Sequence, residues 1–160
     1  MSPELTKSTV QIVPPEAGRS LAAFGSVGHF KLEGTQTEGK LCLVLGETPP
    51  GAGPPPHVHR RDDEVFIFVE GDVSFLTEKG WVPLTPGTVV YVPRGVPHTF
   101  RNTGTKPSRH WAFTTPSGFE EFYARAAEIF AAGNRPDIQK LRAAATEYGY
   151  EILAPVNPSA

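Results

Sequence analysis

The fold is decided by two stretches, GAGPPPHVHRRDDEVFIFVEG at residues 51–71 and GTVVYVPRGVPHTFRN at residues 87–102. In the first, His57 and His59 are two positions apart, so on an extended strand both imidazoles project from one face. Glu64 reaches that face after a short bend through Arg60 to Asp63. The run Val65-Phe66-Ile67-Phe68-Val69 is apolar on both faces, which predicts a central strand covered on each side. Its β-branched and aromatic content, with Gly71 directly behind, favours a strand over a helical turn. In the second stretch, Pro93-Arg94-Gly95 makes a turn that delivers His98 back toward the first pair. Gly71 and Gly87 mark strand ends where a turn needs positive φ.

Three imidazoles and a carboxylate aimed at one point form an N3O donor set for one divalent first-row ion: Fe, Mn, Ni, Cu or Zn. No thiolate takes part, which disfavours a closed structural zinc site. An octahedral ion held by His57, His59, Glu64 and His98 keeps two positions open, the arrangement of a catalytic site. Strand parity adds the walls: with Glu64 inward, Phe66 and Phe68 point inward too, and with His98 inward so does Phe100. These three phenylalanines are the expected substrate-binding surface, aromatic and dry, suited to a flat apolar or enolic molecule more than to a sugar phosphate. Asn102, on the face of His98, reads as a structural hydrogen-bonding residue. Asp62 and Asp63 could orient the histidines from behind, but Arg60 to Asp63 read more simply as a solvated loop. Arg94 reads as exposed, and His29 and His110, without partners at ligand spacing, as ordinary strand residues.

Outward from these stretches, further strands are expected at Thr9–Val13, Ser26–Leu32, Lys40–Gly46, Val73–Thr77, Trp81–Leu84, Thr88–Val92 and Arg109–Thr115, beside Glu64–Glu70 and His98–Asn102. Many short strands with turn signals between them predict an all-β sandwich or barrel. The 17 prolines and 16 glycines support this, because they fall between apolar runs and not in one block. After Pro116 the period changes. Ser117 and Glu120 match a capping box, and Phe119, Phe122, Tyr123, Ala126, Ile129 and Phe130 recur at helical spacing up to Gly133. A second helix starts near Asn134 and Pro136, with Ile138, Leu141, Ala145 and Tyr148 on one stripe and Gly149 as its stop. The organisation expected is a β-barrel with N-terminal strands over residues 1–115, a helical segment packed on it over 116–150, and a tail over 151–160.

With 15 basic and 17 acidic residues and no basic cluster, nucleic acid is not an expected partner. No run of 18 apolar residues and no signal-peptide pattern is present, so no membrane partner is expected and a cytoplasmic location is. The single cysteine, Cys42, lies in an apolar run and reads as a buried small hydrophobe. The strand edge at Thr9–Val13 predicts a homodimer.

A lone His-x-His pair is weak evidence; the surrounding spacing is not. Gly51, five residues, His57, one, His59, four, Glu64, six, Gly71, and then Gly87, five, Pro93, one, Gly95, two, His98, three, Asn102, resemble without a gap the two motifs of the cupin superfamily. The fifteen residues between the motifs, Asp72 to Pro86, are at the short end for cupins and resemble a compact single-domain member. The resemblance implies a double-stranded β-helix, or jelly-roll barrel, followed here by the two C-terminal helices. The stretch from Pro54 to Gly71, with Thr115 to Phe122, is similar to the small quercetin dioxygenase-like cupins. That similarity implies a metal-dependent dioxygenase acting with O2 on a flavonol or other enolisable aromatic, in which a metal-ligating carboxylate also moves a proton; Glu64 would be that group. Two other classes stay open, a metal-bearing module that binds a small ligand without turnover and a Lewis-acid isomerase or lyase.

Overall fold

A computed structural model describes residues 9–133 and 135–153 of the chain. It begins with β1 (Arg19–Ala23) and β2 (Ser26–Leu32), a single helical turn α1 (Gly34–Thr37), and then β3 (Cys42–Thr48). The ligand-bearing region follows as β4 (His57–His59), β5 (Asp63–Glu70), β6 (Val73–Thr77), β7 (Gly80–Leu84), β8 (Val89–Val92), β9 (Thr99–Asn102) and β10 (Ser108–Thr115). The chain ends in α2 (Phe119–Ala131), α3 (Ile138–Tyr148) and a short β11 (Tyr150–Ile152).

The strands form a six-stranded sheet in the order β1-β2-β3-β10-β5-β8, a three-stranded sheet β7-β6-β9 and a two-stranded sheet β11-β4. The order is non-sequential because β10 returns between β3 and β5, the long-range antiparallel pairing of a jelly roll. Alternation along β5 decides what lies between the larger sheets. Glu64, Phe66 and Phe68 are buried while Val65 and Ile67 are half-buried on the other face. Phe66 meets Phe75 of β6 at 5.6 Å between ring centroids, and Phe68 meets Phe100 of β9 at 5.6 Å. These edge-on rings close the core between the two sheets.

Asn102 is fully buried and has the scaffold role expected of it. Its amide nitrogen donates to the carbonyls of Thr48 and Lys106 at 2.9 and 2.8 Å, and its Oδ1 accepts from the Gly104 amide at 2.9 Å. Gly71 adopts φ of 91°, and a Cβ there would stand 2.8 Å from the Cα of Ser108. That turn therefore accepts glycine alone. Cys42 is buried, which holds its thiol well above the ordinary range.

Several expectations need correction. Thr9–Val13 forms no strand: Val10 and Ile12 are 89% and 86% exposed. Five alternating residues ahead of Pro14 and Pro15 offer no continuing ladder, so the segment crosses the outer surface beside Leu43, Leu45 and Trp111. β5 is covered on one side only, since Val69 is 42% exposed. The cap of α2 is Gly118, not Ser117. Glu120 is buried and accepts from two amides instead, Gly118 at 2.9 Å and Gly34 at 2.6 Å, which pins α2 to the first residue of α1. α3 is capped by Asp137, whose carboxylate accepts from the amides of Gln139 and Lys140, both at 3.1 Å. Gly149 ends it in the left-handed conformation, φ 87°. Residues 151 and 152, expected in the tail, are the end of β11. Asn134 and the residues from 154 onward, including the stretch Pro155 to Ala160, lie outside the described residues.

Candidate metal centre

Four donor atoms, one each from His57, His59, Glu64 and His98, lie within 4.8 Å of one another. Local structure explains the convergence. β4 is held on one side by β11, with Tyr150 opposite His59 and Ile152 opposite His57. On the other side the backbones of His57 and His98 exchange two hydrogen bonds, both 3.1 Å. Imidazole centroids are 4.4 Å apart for His57 and His98, and 5.2 Å apart for each of the pairs that include His59.

Each ring has its outer nitrogen facing an acceptor. His57 Nδ1 donates to the Pro55 carbonyl at 2.8 Å, and His98 Nδ1 donates to the Val96 carbonyl at 3.0 Å. His59 Nδ1 faces Asp62 Oδ1 at 3.2 Å. A carbonyl can only accept, so His57 and His98 each carry a proton on Nδ1; His57 turns a bare Nε2 inward, while His98 Nε2 donates to the Glu64 carboxylate. Glu64 Oε2 lies 3.0 Å from His98 Nε2 and 3.2 Å from His59 Nε2. The Nε2 of His59 is buried and has no hydrogen-bond partner. A bare inward nitrogen on His57, an orphaned buried nitrogen on His59 and a buried carboxylate at one point are what a divalent cation satisfies, so the donor set fits the ion its residue types imply.

The protonation preferences favour ligation at His57 and Glu64 and oppose it at His59. Burial, then the nearby rings of His98 and His59, push the His57 imidazole down to about 3, so it is neutral and free to ligate. Burial alone would raise the Glu64 carboxyl, but the imidazoles of His59 and His98 overcome this and bring it to about 2. His59 moves the other way: burial opposes its charge, and the carboxylates of Glu64 and Asp62 more than offset that.

Asp62 is the first residue that sequence reasoning misplaced. Expected in a solvated loop, it is 2% exposed. Its Oδ1 faces His59 and its Oδ2 accepts from the Tyr150 hydroxyl at 3.0 Å. The sequence of His59 and Asp62 at i and i+3 carried a signal, but Tyr150 comes from the far end of the chain and only the fold brings it there. Asp63, its neighbour, does face solvent and pairs with exposed Arg94. Since partners of this kind orient the ligating ring, Asp62→Ala should weaken metal binding about 10–100-fold and Tyr150→Phe less, measured by competition with a chelating dye. Unchanged affinity in Asp62→Ala would show that His59 needs no orienting carboxylate.

His57 and Glu64 open onto a cavity whose walls include Phe66, Phe100, Phe119 and Tyr150. The cavity volume is about 90 Å³, narrow beside the roughly 300–1,000 Å³ of drug-sized ligand sites, so its aromatic walls close tightly around the site. Phe66 and Phe100 thus stand on the wall, while Phe68 packs behind, stacked on Phe66 at 5.7 Å. α2 and β11, with Phe24 from the turn between β1 and β2, supply the remaining aromatic rings, whereas helical spacing had pointed to plain packing against the barrel for those of α2. His110, expected to be an ordinary strand residue, lines the cavity as well.

Comparison with known proteins agrees with this geometry. Residues 44–113 match the family model of the Cupin domain, so the chain carries a cupin domain over its ligand-bearing strands. Glucose-6-phosphate isomerase of Pyrococcus horikoshii is 41% identical over 58 residues, 32% of this chain and 31% of that protein. Quercetin 2,3-dioxygenase of Bacillus subtilis is 28% identical over 87 residues, 54% of this chain and 26% of that protein. The chain thus spans less than a third of the length of either relative. Among solved structures, a Thermotoga maritima protein described as a predicted oxalate decarboxylase superposes with a TM-score of 0.61 at 18% identity, over 66% of this chain and 99% of that one. At that identity the likeness establishes the cupin fold alone.

Proposed function

We propose that this cupin domain is a metal-dependent enzyme that oxidises a small enolisable aromatic, a flavonol or a molecule like it, with dioxygen. The observation that carries the reading is the opening of His57 and Glu64 onto an aromatic-walled cavity that, among the described residues, is lined by no lysine or arginine. When bound, a divalent ion would supply Lewis acidity toward an enol oxygen and, if redox-active, a path for electrons to dioxygen. His57, His59 and His98 would hold it through ring nitrogens. Phe66 and Phe100 exclude water and orient a flat ring. Glu64 lines the cavity, and its position there is what would let it take the enol proton and return it to product. In the overall change the substrate ring is oxidised and cleaved, O2 is reduced, and both oxygen atoms enter the products.

Oxygen uptake by the Fe, Mn, Ni and Cu forms against a panel of flavonols and diketones, with products identified by mass, tests this reading. Glu64→Gln should keep part of the metal and lose turnover by about 10²-fold or more, because the amide ligates weakly and cannot accept the proton. If no form consumes oxygen, the dioxygenase reading fails. A second reading, Lewis-acid isomerisation, is favoured by the 58-residue match to glucose-6-phosphate isomerase and would show as anaerobic product formation. The absence, among the described residues, of a cationic side chain for a phosphate in the cavity weighs against it.

The same proposal includes a homodimer. The outer face of the six-stranded sheet exposes Val69, Val89 and Tyr91, the last two 60% exposed, and Tyr91 and Val89 pair in register with Val65 and Ile67. An apolar sheet face of this kind is normally covered, here by a second copy. Sedimentation at micromolar concentration should give twice the chain mass; a single-chain mass would contradict it.

A further inference from the structure

His110 is a polar group in the cavity that the metal centre does not use. It is 6% exposed, lies on β10 opposite Gly46 of β3, and shares the cavity with His57 and Glu64. Its Nδ1 is buried without a hydrogen-bond partner. Burial lowers this imidazole to about 4, so at neutral pH it offers one N–H donor and one bare lone pair. The place is built for the ring. A Cβ at Gly46 would stand 2.4 Å from His110 Cε1 and 2.5 Å from its Nε2, so glycine there makes the room. The rings of Phe100, Phe68 and Phe66 hold it at centroid distances of 4.9, 5.4 and 5.7 Å. A polar ring fixed so firmly in an apolar pocket is costly unless something in the pocket pairs with it.

Phe66 spans the space between the two polar ends of the cavity, 6.1 Å from His98 on one side and 5.7 Å from His110 on the other. We infer that His110 is a specificity-determining anchor, hydrogen-bonding a neutral hydroxyl or carbonyl at the end of an aromatic substrate remote from the metal ligands. The inference rests on the reading of this cavity as the substrate site. It narrows the substrate to a flat apolar body with polar groups at both ends. A phosphate at the His110 end would bury its charge against phenyl rings with no cation to meet it.

Phenol and toluene, equal in shape and different in one hydroxyl, are the probes. Their binding to the full chain is measured with zinc added and with metal stripped, alongside spectra of protein labelled with 15N-histidine. Phenol should bind about 10-fold more tightly than toluene and shift a ring nitrogen of His110, the gain of one well-made hydrogen bond in a dry site. His110→Phe should erase the preference and leave toluene binding within a few-fold, while His110→Gln keeps part of it. Gly46→Ala should also erase it by displacing the imidazole without removing it. Wild-type protein that binds the two equally, that binds neither, or a preference that survives in His110→Phe would overturn the inference. Loss of oxygen uptake with the preference intact would fail the dioxygenase reading alone, and uptake without the preference would fail the anchor alone.

Discussion

His57→Ala, purified without a metal-binding tag and incubated with a divalent ion, is expected to hold far less than one equivalent and to show no turnover. The loss should exceed the 10–100-fold typical of removing an orienting partner, because an inward Nε2 lone pair disappears and not merely its support. His57 suits the test because its ring borders the cavity, so its removal enlarges space that is already open. Its backbone hydrogen bonds to His98 do not involve the side chain and remain. His98→Ala should lose the ion equally but also destabilise, since this ring is buried and stacks on Phe75 at 6.1 Å with planes 4° apart. The two effects separate in a denaturant titration: added metal stabilises wild type by mass action and leaves both variants unmoved. A His57→Ala protein that still binds one equivalent would show that the remaining three donors suffice.

Phe66→Ala is expected to cost about 3–5 kcal/mol of folding stability, the range for truncating a buried aromatic side chain. Position alone would assign this residue to substrate contact. The packing assigns it more: it is 3% exposed and its ring meets those of Phe68, Phe75, Phe100, His98 and His110. One face belongs to the cavity and the rest to the core that fixes both polar ends of the site. A fall in the denaturant midpoint with an unchanged slope measures the cost. A change below about 1 kcal/mol would mean that the neighbouring rings collapse to fill the space.

The convergence of His57, His59, Glu64 and His98 was legible because these residues sit within short range of turns that glycine and proline impose, and because strand period two puts His57 with His59, and Glu64 with Phe66, on shared faces. Ser26–Leu32 and Val73–Thr77 were likewise readable to the residue, each bounded by turn-forming neighbours. What was not legible came from distant segments. Tyr150 reaches Asp62 only because α3 turns the chain back so that β11 can pair with β4. His110 carries no local mark of its role; Gly46, across the β3 to β10 ladder, makes it a cavity residue. Thr9–Val13 has a strand's composition and lacks a partner, which propensity does not reveal.

The central claim, one divalent ion held by His57, His59, Glu64 and His98, is tested most directly by elemental analysis of the untagged protein after incubation with Fe, Mn, Ni and Zn and removal of the excess. About one equivalent of a single first-row ion per chain is the expected result, since one donor atom from each of three imidazoles and a buried carboxylate lie within 4.8 Å of one another. Protein that remains free of metal after each of these incubations would contradict the claim.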